Sequence, residues 1–131
     1  MSGKPTILCI DDNRPGLLAR TELLKMRGYN VIPVTGHSSA LKAITEQQVD
    51  LAVIDYHLAE DSNGELVAQD IRAMYPDLPL LMLTGDPNVP QSARDSVDVC
   101  IIKGVEPVST LLSVIKTLLS ENRVSENRAA A

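Results

Sequence analysis

Aromatic residues are almost absent from this chain of 131 residues, which has three Tyr and neither Phe nor Trp. Proteins that hold single-stranded nucleic acids or cationic ligands commonly stack them on aromatic side chains. Basic residues are also too few for a nucleic-acid surface, since 12 Lys and Arg face 17 Asp and Glu and the formal net charge is −5. We therefore expect a core of aliphatic side chains and no nucleic-acid partner.

The chain also lacks any apolar run close to the roughly 20 residues of a membrane helix, and its first residues do not form a secretory signal. Its two cysteines, Cys9 and Cys100, each stand inside a short apolar stretch and predict buried free thiols rather than a disulfide framework. Apolar residues make up 44% and charged residues 22%, which is ordinary for a globular domain. These features predict a cytoplasmic protein that does not contact a membrane.

Short apolar stretches alternate with helical patterns along the chain. The apolar stretches cover residues 6–10, 31–35, 51–55, 78–84 and 99–103. They are continuous rather than alternating, which is typical of strands buried on both faces. The second stretch contains Pro33, which favours an edge position in the sheet. The alternation predicts an α/β fold with a doubly wound, five-stranded parallel sheet.

Two segments depart from this regular alternation. The connection between Thr84 and Lys103 contains two prolines and leaves room only for a shortened fourth helix near residues 91–96. From Glu121 onward the chain has no apolar residue except Val124 and alanines. We therefore predict one domain over residues 1–120 and a disordered tail over 121–131.

Polar side chains stand where four of the predicted strands end. They are Asp11, Asp12, Asp55, Thr84 and Lys103. In a doubly wound sheet, sites form beyond the carboxyl ends of the strands. Three carboxylates gathered there would raise each other's pKa values, and a Mg²⁺ ion with its preference for hard oxygen ligands would relieve this repulsion.

The same residue types suit phosphoryl transfer to a carboxylate. An aspartate can act as a nucleophile and form an acyl phosphate. Mg²⁺ and a lysine ammonium can neutralise the charge of the transferring group, and a hydroxyl such as that of Thr84 can bind one of its oxygens. The set therefore predicts reversible phosphorylation of an aspartate.

Four short motifs, taken together in this order, resemble those of the response regulator receiver domain, the CheY-like phosphoacceptor module of two-component signalling. The motifs are Ile10–Asn13, Asp50–Asp55, Leu83–Gly85 and Ile101–Lys103. The resemblance covers about residues 5–120 and implies a flavodoxin-like fold. It also implies that Asp55 is the phosphoacceptor.

The resemblance further implies a Mg²⁺ site and a phosphoryl site. Asp12 and Asp55 would bind Mg²⁺ directly, together with the backbone carbonyl of His57, while Asp11 would act mainly through a metal-bound water. The Thr84 hydroxyl and the Lys103 ammonium group would hold the phosphoryl oxygens. The donor would be a phosphohistidine on a sensor histidine kinase or a phosphotransfer protein, and the output partner is unknown.

The chain departs from the family pattern at two positions near the lysine. Gly104 stands where the family usually has a proline after a cis bond, so we expect a trans bond there. Cys100 stands where the family usually has an aromatic switch residue. We therefore predict that phosphorylation shifts the population of the loops after the third and fourth strands, without an aromatic rotamer change.

Several alternatives remain open from the residues alone. The pair Asp11 and Asp12 could cap the first helix, and Lys103 could be an ordinary surface lysine. The chain could also be a pseudo-receiver, a protein-interaction module that works independently of phosphorylation. A phosphohydrolase with an aspartate nucleophile is disfavoured, because neither Asp11 nor Asp55 is followed by the second carboxylate of an Asp-x-Asp motif. We therefore expect a signalling module rather than an enzyme.

Overall fold

The computed structural model describes residues 3–58 and 62–130. The strands are β1 (Thr6–Ile10), β2 (Asn30–Val34), β3 (Leu51–Asp55), β4 (Leu80–Thr84) and β5 (Val99–Ile102). The helices are α1 (Arg14–Met26), α2 (His37–Glu46), α3 (Gly64–Met74), α4 (Gln91–Asp95) and α5 (Val108–Ala130). Strands and helices therefore alternate along the whole described chain.

The strands form one parallel sheet in the order β2-β1-β3-β4-β5. This confirms the predicted α/β, doubly wound, flavodoxin-like fold. Pro33 pairs in register with Cys9 and lies in β2, one of the two edge strands, where a residue without a backbone N–H is tolerated. From β1 the chain first goes to β2 on one side and then crosses to β3 on the other side of β1. Strands β1 and β3 are therefore neighbours, and their carboxyl ends lie side by side.

The sheet separates two aliphatic cores. Alternate side chains of β1 point to opposite faces: Leu8 and Ile10 pack with the helices α2, α3 and α4, whereas Ile7 and Cys9 pack with α1 and α5. All four of these side chains are fully buried. Since both faces are covered, the strands carry continuous apolar runs, as the sequence predicts.

Two asparagines cap the N-termini of the helices that flank the site. The Asn13 side chain accepts a hydrogen bond from the Gly16 amide at the start of α1, and Asn63 accepts one from the Leu66 amide at the start of α3. These are the side-chain caps that helix N-termini prefer. Gly64, the first residue of α3, also donates its amide to the Tyr56 carbonyl at 2.7 Å. The caps therefore fix both helices close to the carboxyl ends of β1 and β3.

Some element ends differ from the predicted ones. The fourth strand begins at Leu80 rather than residue 78, because Pro79 has no amide to donate and contributes only its carbonyl, which accepts from Ala52. The fifth strand ends at Ile102, so Lys103 lies just beyond it. The fourth helix is short, as predicted, and spans only five residues after Pro90.

Helix α5 continues through Ala130 and so includes most of the segment for which the sequence predicts a disordered tail. The segment 121–130 contains neither glycine nor proline, so no residue in it interrupts a helix. The division into a domain of residues 1–120 and a tail of 121–131 stays a prediction. In the described ranges, no helix combines the length and hydropathy needed to cross a membrane.

Candidate functional site

The carboxyl ends of four adjacent strands bring the predicted side chains to one edge of the sheet. Asp11 follows β1, Asp55 ends β3, Thr84 ends β4 and Lys103 follows β5. The backbone amide of Lys103 donates to the Thr84 carbonyl at 2.7 Å, which extends the pairing of the last two strands into the site. The order of strands, rather than proximity in sequence, therefore assembles this set.

Asp55 is the best defined member of the site. Its side chain is almost entirely buried, and one carboxylate oxygen, Oδ2, lies 2.8 Å from the Lys103 Nζ. The other oxygen, Oδ1, accepts a hydrogen bond of 3.1 Å from the His57 amide. Burial raises the pKa of Asp55; the hydrogen bond from Lys103 opposes this rise, and the nearby charge of Asp11 adds to it. The structure therefore holds a desolvated carboxylate against an ammonium group.

Asp11 forms a second buried pair, which the sequence analysis missed. The side chain of Asp11 is 1% exposed, and its Oδ2 lies 3.2 Å from Nη1 of Arg20, whose side chain is 11% exposed. Its Oδ1 accepts a hydrogen bond from the Asn13 amide. Arg20 lies between the buried residues Leu17 and Leu24 at helical spacing. A charged residue on the apolar face of a helix was the signal that could have identified it.

Thr84 and His57 are held by the loops around the site. Thr84 is fully buried, and its hydroxyl oxygen accepts a hydrogen bond of 3.0 Å from the Asp86 amide. The His57 side chain is exposed, and its Nε2 lies 4.0 Å from a carboxylate oxygen of Asp86. The loops after β3 and β4 therefore approach each other above the sheet edge. The metal-binding role of the His57 carbonyl stays a prediction.

Asp12 differs from the other two acidic residues. It is exposed, and within the described part of the chain its carboxylate has no hydrogen bond or ion pair. No group of three or more His, Cys, Asp or Glu side chains lies close enough together to hold a metal ion, again among the described residues. The structure thus shows Asp11 and Asp55 close enough for the charge of one to raise the pKa of the other, with Asp12 turned toward solvent.

The donor set nevertheless suits a hard divalent cation. Asp11 and Asp55, whose negative charges repel each other, lie at the same edge of the sheet. Asp12, the residue directly after Asp11, adds a third carboxylate. All these donors are oxygens, which are the ligands that Mg²⁺ prefers. The residues present therefore fit a magnesium ion.

The two departures from the family pattern are both visible. No cis peptide bond occurs among the described residues, so the bond between Lys103 and Gly104 is trans, as expected. Gly104 has a φ of 81°, a conformation that side chains with a Cβ rarely adopt. Cys100 is only half-buried, so the prediction of a buried thiol is correct for Cys9 and wrong for Cys100. It lies on β5, which forms one edge of the sheet.

Comparisons with known proteins agree with this geometry. The family model of the response regulator receiver domain matches residues 7–116. The probable transcriptional regulatory protein TcrX of Mycobacterium tuberculosis is 32% identical over 97 residues, which are 73% of this chain and 38% of TcrX. The curated relatives include transcriptional regulators and a sensor protein, and the chain spans about 10% to 38% of their lengths.

Solved structures show the same fold. A CheY-like response regulator receiver domain protein from Methanospirillum hungatei has a TM-score of 0.86 and 25% identity, covering 94% of this chain and 99% of that one. The response regulator TrrA from Thermotoga maritima, solved with Mg²⁺ and BeF, has a TM-score of 0.81 and 23% identity, covering 87% of this chain and 98% of that one. Together with the family match, these findings show that the chain belongs to the response regulator receiver domains of two-component systems.

Proposed function

We propose that this receiver domain accepts a phosphoryl group on Asp55 from a phosphohistidine of a sensor histidine kinase or a phosphotransfer protein. The single observation that carries the proposal is the buried Asp55 carboxylate, with Lys103 Nζ 2.8 Å from its Oδ2. A lysine that contacts the acceptor carboxylate is placed to contact the phosphoryl oxygens when they arrive. The sensor kinase, the phosphotransfer protein and an output partner that is still unidentified would all meet this domain in the cytoplasm.

The transfer itself needs little beyond position and charge. A carboxylate oxygen of Asp55 attacks the phosphorus, so that a new P–O bond forms while the P–N bond of the phosphohistidine breaks. The electron pair of that bond returns to the donor imidazole, which takes up a proton from solvent. Lys103 then neutralises part of the added charge, and the Thr84 hydroxyl exchanges its contact with the Asp86 backbone for a phosphoryl oxygen.

Asp11, Asp12, Asp55 and the His57 carbonyl are the groups that would hold a magnesium ion here. When bound, Mg²⁺ would supply positive charge against the phosphoryl oxygens during transfer. The exposed Asp12 side chain must turn toward the site for this. The oxygens of these residues would also exclude softer metals that prefer sulfur or imidazole ligands.

Phosphorylation would change partner binding through the loops. Thr84 and His57 both contact Asp86, which lies in the loop after β4. If Thr84 turns toward the phosphoryl group, the Asp86 amide loses its partner and the loop shifts to a second arrangement. Because Cys100 replaces the aromatic switch residue, we propose that these loops and the short α4 carry the signal.

Intact-mass analysis after incubation with a small-molecule phosphodonor and Mg²⁺ tests the proposal. We expect the wild-type chain to gain one phosphoryl group and Asp55→Asn to gain none. The matched control is Asp95→Asn, which removes a carboxylate from the exposed face of α4 and should be phosphorylated like the wild type. An unmodified wild type, or an Asp55→Asn variant that is still phosphorylated, would contradict the proposal.

A pseudo-receiver is the second candidate, and one observation favours it. Both buried carboxylates already have a cationic partner, Arg20 for Asp11 and Lys103 for Asp55. The two buried carboxylates therefore have counter-charges without a metal ion, as a module that ignores phosphorylation would require. The mass measurement separates the two candidates, because a pseudo-receiver would not be modified under conditions that label a phosphoacceptor.

A further inference from the structure

Arg20 is a buried cation inside an acidic site, and neither the sequence motifs nor the family match assigns it a role. We propose that Arg20 acts as a resident counter-charge for Asp11 and sets the Mg²⁺ affinity of the site, because the metal ion can bind Asp11 only after the guanidinium moves away. This inference rests on the proposed function, since it concerns the same cation site.

The contact is of the kind that competes with a metal ion. Arg20 Nη1 lies 3.2 Å from Asp11 Oδ2, and neither side chain is well solvated, with exposures of 11% and 1%. Water therefore screens this pair less than it would screen a surface ion pair. The remaining oxygen of Asp11 already accepts a hydrogen bond from the Asn13 amide. Both oxygens of the carboxylate are thus engaged before any metal ion arrives.

The guanidinium and a divalent cation would occupy neighbouring positions. Mg²⁺ bound through Asp11 and Asp55, or through a water on Asp11, would lie near the charge that Arg20 places on Asp11. Two cations on one poorly hydrated carboxylate repel each other. The free energy of separating Arg20 from Asp11 is therefore subtracted from the free energy of Mg²⁺ binding.

The structure offers Arg20 a place to move. A cavity of about 280 Å³ lies between α1 and the connection from β5 to α5, and Arg20 and Lys103 both line it. Its wall also includes the carboxylate-bearing Glu106 and apolar residues such as Leu83 and Leu111. The aliphatic stem of Arg20 can stay against the apolar wall while its charged end turns from Asp11 toward Glu106.

Equilibrium Mg²⁺ binding, followed by backbone amide chemical shifts, tests the inference without phosphorylation. We expect Arg20→Met, which keeps the aliphatic stem, to bind Mg²⁺ about tenfold more tightly than the wild type, because a charge-assisted hydrogen bond no longer competes. Arg20→Gln should show the same direction and serves as a second variant if Arg20→Met is unstable. Lys25→Met is the matched control, because it removes one positive charge from an exposed position on the same helix. It should change the affinity by less than about twofold.

Two results would overturn the inference. Arg20→Met and Arg20→Gln could bind Mg²⁺ no more tightly than the wild type, which would mean that Arg20 positions Asp11 instead of competing for it. Lys25→Met could tighten binding as much as the Arg20 variants, which would mean that net charge alone sets the affinity. Neither result affects the mass measurement on Asp55. Conversely, tighter Mg²⁺ binding by the Arg20 variants together with an unmodified wild type would leave this inference standing and remove the proposed phosphoacceptor function.

Discussion

At the scale of single residues, the site consists of two buried carboxylates that are each paired with a cation from another element. Asp55 at the end of β3 contacts Lys103 after β5, and Asp11 after β1 contacts Arg20 in α1. Burying a charge is costly unless a partner and hydrogen bonds compensate for it. For Asp55 the compensation is incomplete, since the net effect of burial, Lys103 and Asp11 is a raised pKa.

A raised pKa has a predictable consequence for stability. The folded chain holds the Asp55 proton more tightly than the unfolded chain, so this residue favours folding at low pH, and its contribution is lost as the pH rises through its folded-state pKa. We therefore expect Asp55→Asn to raise the unfolding free energy at pH 7 by about 1 kcal/mol, or the Tm by roughly 4 °C. The gain should shrink steadily as the pH is lowered toward the ordinary aspartate range of about 3.9.

Thermal unfolding between neutral and mildly acidic pH measures this effect. Asp77→Asn is the control, because it makes the same chemical change at an exposed position and should leave the pH profile as it is in the wild type. An Asp55→Asn variant that is less stable than the wild type at pH 7 would show that the contact with Lys103 outweighs the cost of burial.

At the scale of elements, the start of α3 is pressed against the end of β3. A Cβ placed on Gly64 would lie 2.7 Å from the Asp55 carbonyl oxygen and 2.8 Å from the Tyr56 Cα. Both are backbone atoms and cannot rotate away. The residue that begins α3 must therefore lack a side chain if the helix is to start where it does, beside Asp55.

We expect Gly64→Ala to lower the unfolding free energy by about 2 kcal/mol, because the helix must withdraw from the strand to make room for a methyl group. Gly85→Ala is the matched control, since a Cβ there meets nothing within 4 Å and its φ is not positive. It should change stability by less than about 0.5 kcal/mol. Urea unfolding monitored by circular dichroism measures both. Equal effects of the two substitutions would contradict the close approach.

At the scale of the whole molecule, helix α5 helps to fill the core on the α1 side of the sheet. Among its residues up to Glu121, the part of the helix whose burial the structure describes, the buried ones are Leu111, Ile115, Leu118 and Leu119. All of them precede Glu121, which is itself exposed. The core residues that the structure describes on α5 therefore all lie within the predicted domain, which ends at residue 120.

A chain that ends at Ser120 should consequently keep its fold. We expect its unfolding free energy to lie within about 0.5 kcal/mol of that of the full chain, because no side chain known to fill the core is removed. Urea unfolding of the two chains tests this, with a chain that ends at Thr110 as the destabilised reference. A loss of more than about 1 kcal/mol on removing residues 121–131 would show that the last turns of α5 contribute to the domain.

Local patterns were sufficient to predict the elements of this protein. Continuous apolar runs predicted all five strands, and the prolines around residues 87–90 predicted a short α4. The positions of the strand ends were predicted less accurately than the strands themselves. A strand stops where its backbone hydrogen bonds stop, and side-chain hydropathy does not report this.

The fold class and the residue types at the strand ends follow from the sequence alone, because hydrophobic periodicity is a local pattern that distinguishes buried strands from amphipathic helices. The partners of those residues follow only from the way the strands and helices pack. Lys103 lies 48 positions from Asp55 in the chain, and the contact exists because β3 and β5 lie on either side of β4. The pairing of Arg20 with Asp11 likewise depends on how α1 packs against the sheet. Burial and long-range pairing are properties of the packed molecule, so the charge balance of the site could not be derived from spacing alone.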